Sequence, residues 1–265
     1  MMERVILVVG DRFLQFAAGK NVITLTQLKG LLALPNLLAI EPGRLIVLPG
    51  QGLGDDDVEE IVQIAQTSPM RERFDLTEWY RMPKRATAKQ SHKRRPENTL
   101  VSEPRQVGPD VFELDLLVDE DCELMRDHQS GQHVQGMVLF EAARQCLLVV
   151  TESYFLPQDG TKYAFVFNDM SVTFGNFAFP LDARLRYVIR EKDIRTTRRQ
   201  RFTVDIIIEQ SGVEAARCMA TFTAFEESRI SSREAQLAQE ALDRHISARA
   251  QELADRRAPL IAVAA

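Results

Sequence analysis

The sequence has few of the residues that mark metal, disulfide-bonded and membrane proteins. Its 265 residues include four histidines and three cysteines, Cys122, Cys146 and Cys218. Because the cysteines are widely spaced, odd in number and form no CxxC pair, a zinc ribbon and a disulfide framework are excluded. No apolar run approaches the ~18 residues of a membrane span, and the start "MMERVILVVGDRF" lacks a signal-peptide cleavage site. We therefore expect a cytoplasmic protein with no metal site and no membrane contact.

The sequence has no large excess of acidic or basic residues. The 38 acidic and 33 basic residues give a net charge of −5, so there is no overall reason to expect nucleic acid as a partner. The 45% hydrophobic content is typical of a soluble globular protein. Basic residues concentrate in residues 81–95, which hold seven Lys or Arg and no acid. We interpret this stretch as a solvated linker; the alternative is a patch that binds an acidic partner or a phosphate.

Residues 1–80 are predicted to form a small α/β domain. "RVILVV", "VITL" and "RLIVLP" are typical of short strands, and "TQLKGLLAL" is typical of a helix. The stretch "GQGLGDDDVEEIVQIAQ" leads from glycines into an amphipathic helix. Its three aspartates occupy the helix start that a phosphate would need, and the lysine and Ser/Thr of a Walker loop are missing. We expect a capped helix there, and the role of the domain stays open.

From residue 96 to residue 228 the pattern changes to one long helix among alternating strands. "VFELDLLVD" (111–119) is predicted as a strand, and residues 134–155 as a helix that is apolar nearly all round. Four further strands can follow as a meander, with a hairpin turn at Ser211–Gly212. An antiparallel sheet wrapped around one buried helix is the hotdog fold, of class α+β.

The last segment, residues 229–265, is predicted as a C-terminal helix and tail. A capping box formed by Ser231 and Glu234 would open this helix.

The predicted central helix carries charges where apolar residues are expected. Glu141 and Arg144 lie one turn apart among apolar neighbours, and an unpaired buried charge would cost several kcal/mol. A structural ion pair, for example at a dimer seam, would explain them. A site is the alternative, since the helix begins at Gly136, where free amides can polarise a carbonyl oxygen, and His128 precedes it. His128 and His133 lack a third metal ligand, which leaves acid–base chemistry on a carbonyl.

The stretch "HQSGQHVQGMVLFEAARQ" resembles the β-hydroxyacyl-carrier-protein dehydratases, which carry a histidine, a glycine turn and a "PGVLxxEAxAQ"-like helix. "HVQGMVLFEAARQ" resembles more closely the "HVPGMVLLEAARQ" signature of AfsA-type proteins, the A-factor (γ-butyrolactone) synthases and their relatives. The upstream "SHKRRPENTLVS" is similar to the opening of that family's domain. The resemblance covers roughly residues 91–226. This chain departs from A-factor synthases in having one hotdog half where they have two.

The resemblance implies transfer of a β-ketoacyl group from a carrier-protein or coenzyme A thioester to a hydroxyl of dihydroxyacetone phosphate, in signal or secondary-metabolite biosynthesis. Glu141 would orient or deprotonate the hydroxyl, and Arg144 would bind phosphate or stabilise negative charge. Gly136 would offer its amide to the thioester. His128 would be a further catalytic group, and Gln145 and His133 would bind substrate. The phosphopantetheine-linked acyl substrate would be the only cofactor-like group.

Two alternatives remain open: a dehydratase or thioesterase on the same fold, and a non-catalytic acyl-binding module. A single hotdog domain leaves its sheet edge uncovered, so we expect a homodimer with shared sites. Because carrier proteins are acidic, their docking surface should be basic. The best candidate is the "RTTRRQR" loop, and residues 81–95 come second. The arginines of this loop are Arg195, Arg198, Arg199 and Arg201.

Overall fold

The computed structural model describes residues 4–34, 44–127 and 131–257, and these contain two sheets. One is a four-stranded parallel sheet near the N-terminus, and the other is a six-stranded sheet that follows it. Within the described ranges, no helix is long and apolar enough to cross a membrane.

The N-terminal unit has the α/β character that the sequence predicts. Its strands are parallel in the order β2-β1-β3-β4, and helices connect them. The helix after the glycine-rich turn is capped as expected, since the Asp57 carboxylate accepts the Gly54 amide at 3.1 Å. The elements are β1 (Arg4–Val9), α1 (Leu14–Ala17), β2 (Val22–Thr24), α2 (Leu25–Ala33), β3 (Leu45–Pro49), α3 (Asp55–Thr67) and β4 (Phe74–Asp75).

The second unit is a hotdog domain: a long helix lies against a six-stranded antiparallel sheet. Eleven of the 19 residues of this helix are buried, which confirms that a helix apolar nearly all round is wrapped by other elements. The helix packs on β8, β9, β10 and β7. The elements are β5 (Arg105–Gly108), β6 (Val111–Asp115), α4 (Glu123–Arg126), α5 (Gly136–Tyr154), β7 (Tyr163–Phe174), β8 (Arg184–Thr196), β9 (Arg199–Gln210), β10 (Val213–Glu226) and α6 (Glu227–Arg257).

The order of the strands differs from the predicted meander. The sheet runs β5-β6-β8-β9-β10-β7, so only β8, β9 and β10 form a meander. β7 pairs with β10 along its whole length and forms the edge of the sheet, a pairing between segments that are distant in the sequence. The hairpin between β9 and β10 is confirmed: Ser211 and Gly212 both have positive φ, as a type I′ turn requires.

The C-terminal helix begins earlier than predicted. α6 continues directly from β10 at Glu227, so Ser231 and Glu234 lie inside the helix and do not cap its start. The helical backbone of residues 227–230 already satisfies the amides that the capping box would have served.

Residues 81–95 are not an exposed linker throughout. The interpretation as a solvated linker is wrong for part of this stretch, because it contains three buried residues, Arg85, Ala86 and Ser91. The Arg85 guanidinium donates to the carboxylate of Asp55 and to backbone carbonyl oxygens of the hotdog domain, including Leu117 O at 2.6 Å. Part of the basic stretch therefore packs inside the chain, where Arg85 links the N-terminal unit to the hotdog domain.

Hydrogen bonds join the two units. The Gln51 side chain donates to Leu116 O at 2.9 Å and accepts the Val118 amide at 2.7 Å. The Arg12 amide donates to the Glu120 carboxylate at 2.9 Å. Residues of β1 and α1 also belong to the core of the hotdog domain. The N-terminal unit thus holds the chain segment that leads from β6 to α4.

Candidate functional site

The central helix starts with two free backbone amides. α5 begins at Gly136 without a side-chain cap, and the amides of Gly136 and Met137 have no hydrogen-bond partner among the residues described. A Cβ atom at Gly136 would lie 2.9 Å from the Phe174 ring, so glycine lets this ring pack over the helix start. Free amides at the positive end of a helix can accept a carbonyl oxygen. Gly136 begins α5 as predicted, and its role toward a thioester stays a prediction.

Glu141 is surrounded by nitrogen donors. Arg144 donates to it twice, from Nε at 2.7 Å and from Nη2 at 2.8 Å. Gln145 Nε2 lies 3.0 Å from Oε1, and Lys93 Nζ lies 2.7 Å from the same oxygen. Three of these four nitrogens lie on Oε1, and one, Arg144 Nε, lies on Oε2. The predicted pair of Glu141 and Arg144 is part of a larger network.

This network keeps Glu141 ionised. Burial alone would raise the pKa of Glu141, but hydrogen bonds from Arg144, Lys93 and Gln145 outweigh it and lower the pKa from 4.5 to about 2. A general base works best when its pKa lies near the operating pH. A carboxylate with so low a pKa is a weak proton acceptor, and it suits a group that holds its neighbours in place.

Gln145 connects the helix to the chain segment before β5. Its side chain is fully buried. Gln145 Oε1 accepts the Leu100 amide at 2.7 Å, and Nε2 donates to Asn98 O at 2.8 Å. The Asn98 side chain in turn accepts the Glu123 amide at 2.7 Å. One continuous set of hydrogen bonds therefore fixes Glu141, Gln145, Asn98 and the start of α4 relative to each other.

Sequence reasoning missed Lys93. It lies in the segment interpreted as a linker, far from Glu141 along the chain, and no spacing rule connects the two. The turn that carries it is held on α5, where Gln90 Nε2 donates to Ser153 Oγ at 3.0 Å and His92 Nε2 lies 2.8 Å from Glu152. The one available signal was the lysine in "SHKRRPENTLVS", within the stretch similar to the AfsA-type domain opening.

A cleft of about 310 Å³ opens beside Glu141. Its apolar walls come from the central helix, from α4 and from the segment that carries Leu100. Lys93 and Glu141 provide charged groups in the same cleft, and Arg144 is not among its lining residues. An apolar cleft with a few convergent polar groups is typical of a small-molecule site. The lining residues are Lys93, Asn98, Leu100, Cys122, Glu123, Leu124, Met137, Phe140 and Glu141.

The sequence matches one protein family over most of the hotdog domain. The model of the A-factor biosynthesis hotdog domain, AfsA, matches residues 75–226, which is more than half of the chain. The chain belongs to the AfsA family. Its hotdog domain is accordingly of the kind that handles acyl thioesters. No curated protein matches the sequence.

Solved structures with a similar fold include several thioesterases. A mutant thioesterase from Pseudomonas aeruginosa aligns with 53% of this chain and 94% of its own, at 14% identity and a TM-score of 0.38. A putative thioesterase from Ralstonia eutropha JMP134, described as related to phenylacetic acid degradation, aligns with 45% of this chain and 82% of its own, at 20% identity and a TM-score of 0.34. Similarity at this level carries no information about the reaction.

Of the two histidines predicted for the AfsA-family site, the structure describes only His133. His128 lies outside the described residues, so its predicted role stays a prediction. The ring of His133 packs against Phe177, with ring centroids 4.9 Å apart, and His133 does not line the cleft. Among the residues described, no cluster of three or more His, Cys, Asp or Glu could hold a metal ion.

The basic hairpin predicted to dock a carrier protein lies at the other end of the central helix. The four arginines of the β8–β9 hairpin are exposed, and Arg195 pairs with Asp193 at 2.8 Å. The neighbouring Gln200 side chain donates to Phe155 O, which follows the end of α5. Glu141 and Phe155 are therefore separated by roughly 20 Å of helix. The predicted docking surface does not adjoin the cleft.

Proposed function

We propose that this protein is an acyltransferase that moves an acyl group from a carrier-protein or coenzyme A thioester to a small hydroxyl acceptor. Family membership supports the thioester donor. The resemblance to A-factor synthases suggests a β-ketoacyl group as cargo and dihydroxyacetone phosphate as acceptor. Transfer of this kind would supply a signal molecule or another secondary metabolite.

The observation that carries the proposal is the combination of apolar walls and hydrogen-bond donors in one cleft. Leu124, Met137 and Phe140 offer an apolar surface for an acyl chain. The free amides of Gly136 and Met137 lie one helical turn before Glu141, about 6 Å along the helix axis. A thioester oxygen bound to these amides would become more negative as the carbonyl is attacked, and the amides would stabilise it.

Glu141 and Arg144 take roles that follow from their contacts. Because its pKa is lowered to about 2 and its carboxylate already accepts from four nitrogens, Glu141 would orient Lys93 and Arg144 and would not remove a proton. Arg144 uses Nε and Nη2 for Glu141, and Nη1 has no partner among the described atoms. This N–H group would bind a phosphate or a developing negative charge. Gln145 would act by holding Glu141 in place.

The free edge of the sheet supports a homodimer. β7 is an edge strand of 12 residues, and long unpaired edges of this kind tend to pair with another chain. Phe174 and Phe177 are exposed next to this edge, and Phe177 exposes 70% of its surface. Met137, at the start of the central helix, is also exposed. A second copy on this edge would cover apolar surface beside the cleft.

Product analysis tests the proposal. The protein is incubated with a β-ketoacyl carrier protein and dihydroxyacetone phosphate, and the products are identified by mass spectrometry. We expect a phosphorylated ester, strongly reduced in Arg144→Ala and Glu141→Ala; Arg94→Ala, an exposed arginine, is the matched control. Free acid or a dehydrated thioester would refute the acyltransferase in favour of a thioesterase or a dehydratase. A bound but unreacted thioester would indicate an acyl-binding module.

A further inference from the structure

We propose that Lys93 and Glu123 are the two side chains of the cleft that act on the substrate. Lys93 donates a hydrogen bond to the acyl oxygen, and Glu123 accepts the proton of the attacking hydroxyl. This proposal rests on the proposed acyltransferase function and assigns roles to two residues that lie outside the central helix.

The proposal follows from the proton acceptors that the cleft offers. Among the side chains that line it, Glu141 already accepts from four nitrogens, and its pKa of about 2 makes it a weak proton acceptor. The Asn98 Oδ1 atom already accepts the Glu123 amide. Cys122 is buried, and burial raises the pKa of its thiol, so it stays protonated. The Glu123 carboxylate has no partner among the described residues. It is the acceptor that remains for a substrate hydroxyl.

Lys93 is the cation that faces the same cleft. Its ammonium group has three N–H donors, and the structure commits one of them to Glu141. The side chain is 24% exposed, so the remaining N–H groups are within reach of a ligand. Its backbone amide donates to Ala88 O at 2.7 Å, which anchors it in the turn. Arg144 pairs with Glu141 but does not line the cleft, so Lys93 is the cation placed to reach an acyl group bound there.

Lys93 and Glu123 are fixed relative to each other by the hydrogen-bond network. Lys93 is held by Glu141, and Glu141 accepts from Gln145. Gln145 donates to Asn98 O, and Asn98 Oδ1 holds the amide of Glu123. A network that joins a donor on one segment to an acceptor on another is the support that a preorganised site needs.

The chemistry can be written as a balanced acyl transfer. The hydroxyl oxygen of the acceptor forms a bond to the thioester carbon, and its proton passes to the Glu123 carboxylate. The carbonyl electron pair moves to the oxygen, where Lys93 and the helix amides stabilise the charge. When this pair returns, the carbon–sulfur bond breaks, and the thiolate takes the proton from Glu123. The products are an ester and a thiol.

Two measurements on the full chain test the proposal. The first is calorimetric binding of an unreactive pantetheine analogue that has a ketone in place of the thioester. The second is the single-turnover rate of acyl transfer. Lys93→Met should weaken binding of the analogue roughly tenfold or more, because a charged hydrogen bond is lost. Glu123→Gln should leave binding unchanged and slow transfer on the order of a hundredfold or more.

Matched controls are available on the same surfaces. Lys89→Met alters an exposed lysine of the same turn, and Glu59→Gln alters an exposed carboxylate on α3. Both should behave as the wild type. If Lys93→Met does not fold, Lys93→Gln removes the charge with a smaller change and permits the same comparison. Lys93→Arg, which keeps the charge, should retain part of the binding.

The two measurements distinguish failure of the roles of Lys93 and Glu123 from failure of the acyltransferase function. Wild-type binding in Lys93→Met would overturn the role of Lys93, and wild-type transfer in Glu123→Gln would overturn the role of Glu123. A wild-type protein that binds the analogue but transfers no acyl group would refute the proposed function and the role of Glu123. In that case, loss of binding in Lys93→Met would still support Lys93 as a ligand-binding residue.

Discussion

The network around Glu141 predicts a large, pH-dependent loss of stability in Glu141→Gln. The pKa of Glu141 falls from 4.5 to about 2 in the folded chain. Each unit of pKa corresponds to about 1.4 kcal/mol, so the ionised carboxylate contributes about 3 kcal/mol to the free energy of unfolding. The Glu141 side chain is 17% exposed, and solvent therefore screens little of this contribution.

The direction of the pH dependence follows from the lowered pKa. The contribution is complete above the pKa of the unfolded chain, near 4.5, and is lost as the pH falls through the folded value, near 2. Urea denaturation followed by circular dichroism, from about pH 7 to about pH 2.5, measures it. Wild type and Glu141→Gln should differ by about 3 kcal/mol at neutral pH and converge in acid.

Glu59→Gln, an exposed carboxylate on α3, is the control and should match the wild type at every pH. Equal stability of wild type and Glu141→Gln at neutral pH would refute the reasoning. So would a difference between them that does not change with pH.

Three further predictions concern other contacts. Arg85→Met should destabilise the chain by about 3 kcal/mol in urea denaturation, because two buried carbonyl groups lose their donor; an unchanged midpoint would contradict this. Burial raises the pKa of Glu120, so its charge costs stability at high pH, and Glu120→Gln should raise the melting temperature at about pH 8 more than at about pH 5; the reverse order would be evidence against it. If the β8–β9 hairpin docks an acidic carrier, Arg198→Glu with Arg201→Glu should weaken carrier binding in low salt, whereas Arg229→Glu should not.

The acidic surface near the cleft bears on where a carrier protein docks. A second cleft, which shares Asn98 and Glu123 with the first, is lined by four acidic and two basic side chains. An acidic carrier would be repelled there, which favours the hairpin despite its distance from Glu141. The acidic residues are Glu97, Asp121, Glu123 and Asp127, and the basic residues are Arg95 and Arg126.

Local sequence patterns were enough to predict the helices and strands of the hotdog domain. They were not enough to predict the order of the strands, which depends on pairing between distant segments. Alternating apolar residues are enough to place β8, β9 and β10, and the continuous apolar surface places α5. The position of β7 beside β10 depends on contacts between distant segments, for which the sequence has no periodic signal. Residues 81–95 were misinterpreted for the same reason: a run of basic residues is typical of a solvated segment, and the groups that Arg85 contacts are distant in the sequence.

In the candidate site, too, contacts within one helix were predictable and contacts between segments were not. Glu141, Arg144 and Gln145 occupy one helix at spacings of three and four, so their contact follows from helix geometry. Lys93 and Glu123 join them from two other segments, and only the folded chain brings these together. Gly136 was predictable as the start of the helix, but the ring of Phe174 that packs against it was not.

The most direct test of the account is a crystal structure with an unreactive acyl-pantetheine analogue bound. We predict that the acyl chain lies against Leu124, Met137 and Phe140. We also predict that the carbonyl oxygen lies within hydrogen-bonding distance of the Gly136 or Met137 amide. An acyl chain bound instead in the cleft of about 460 Å³ that is lined by Gln51, Arg105 and Arg184, between the N-terminal unit and the hotdog domain, would contradict the account.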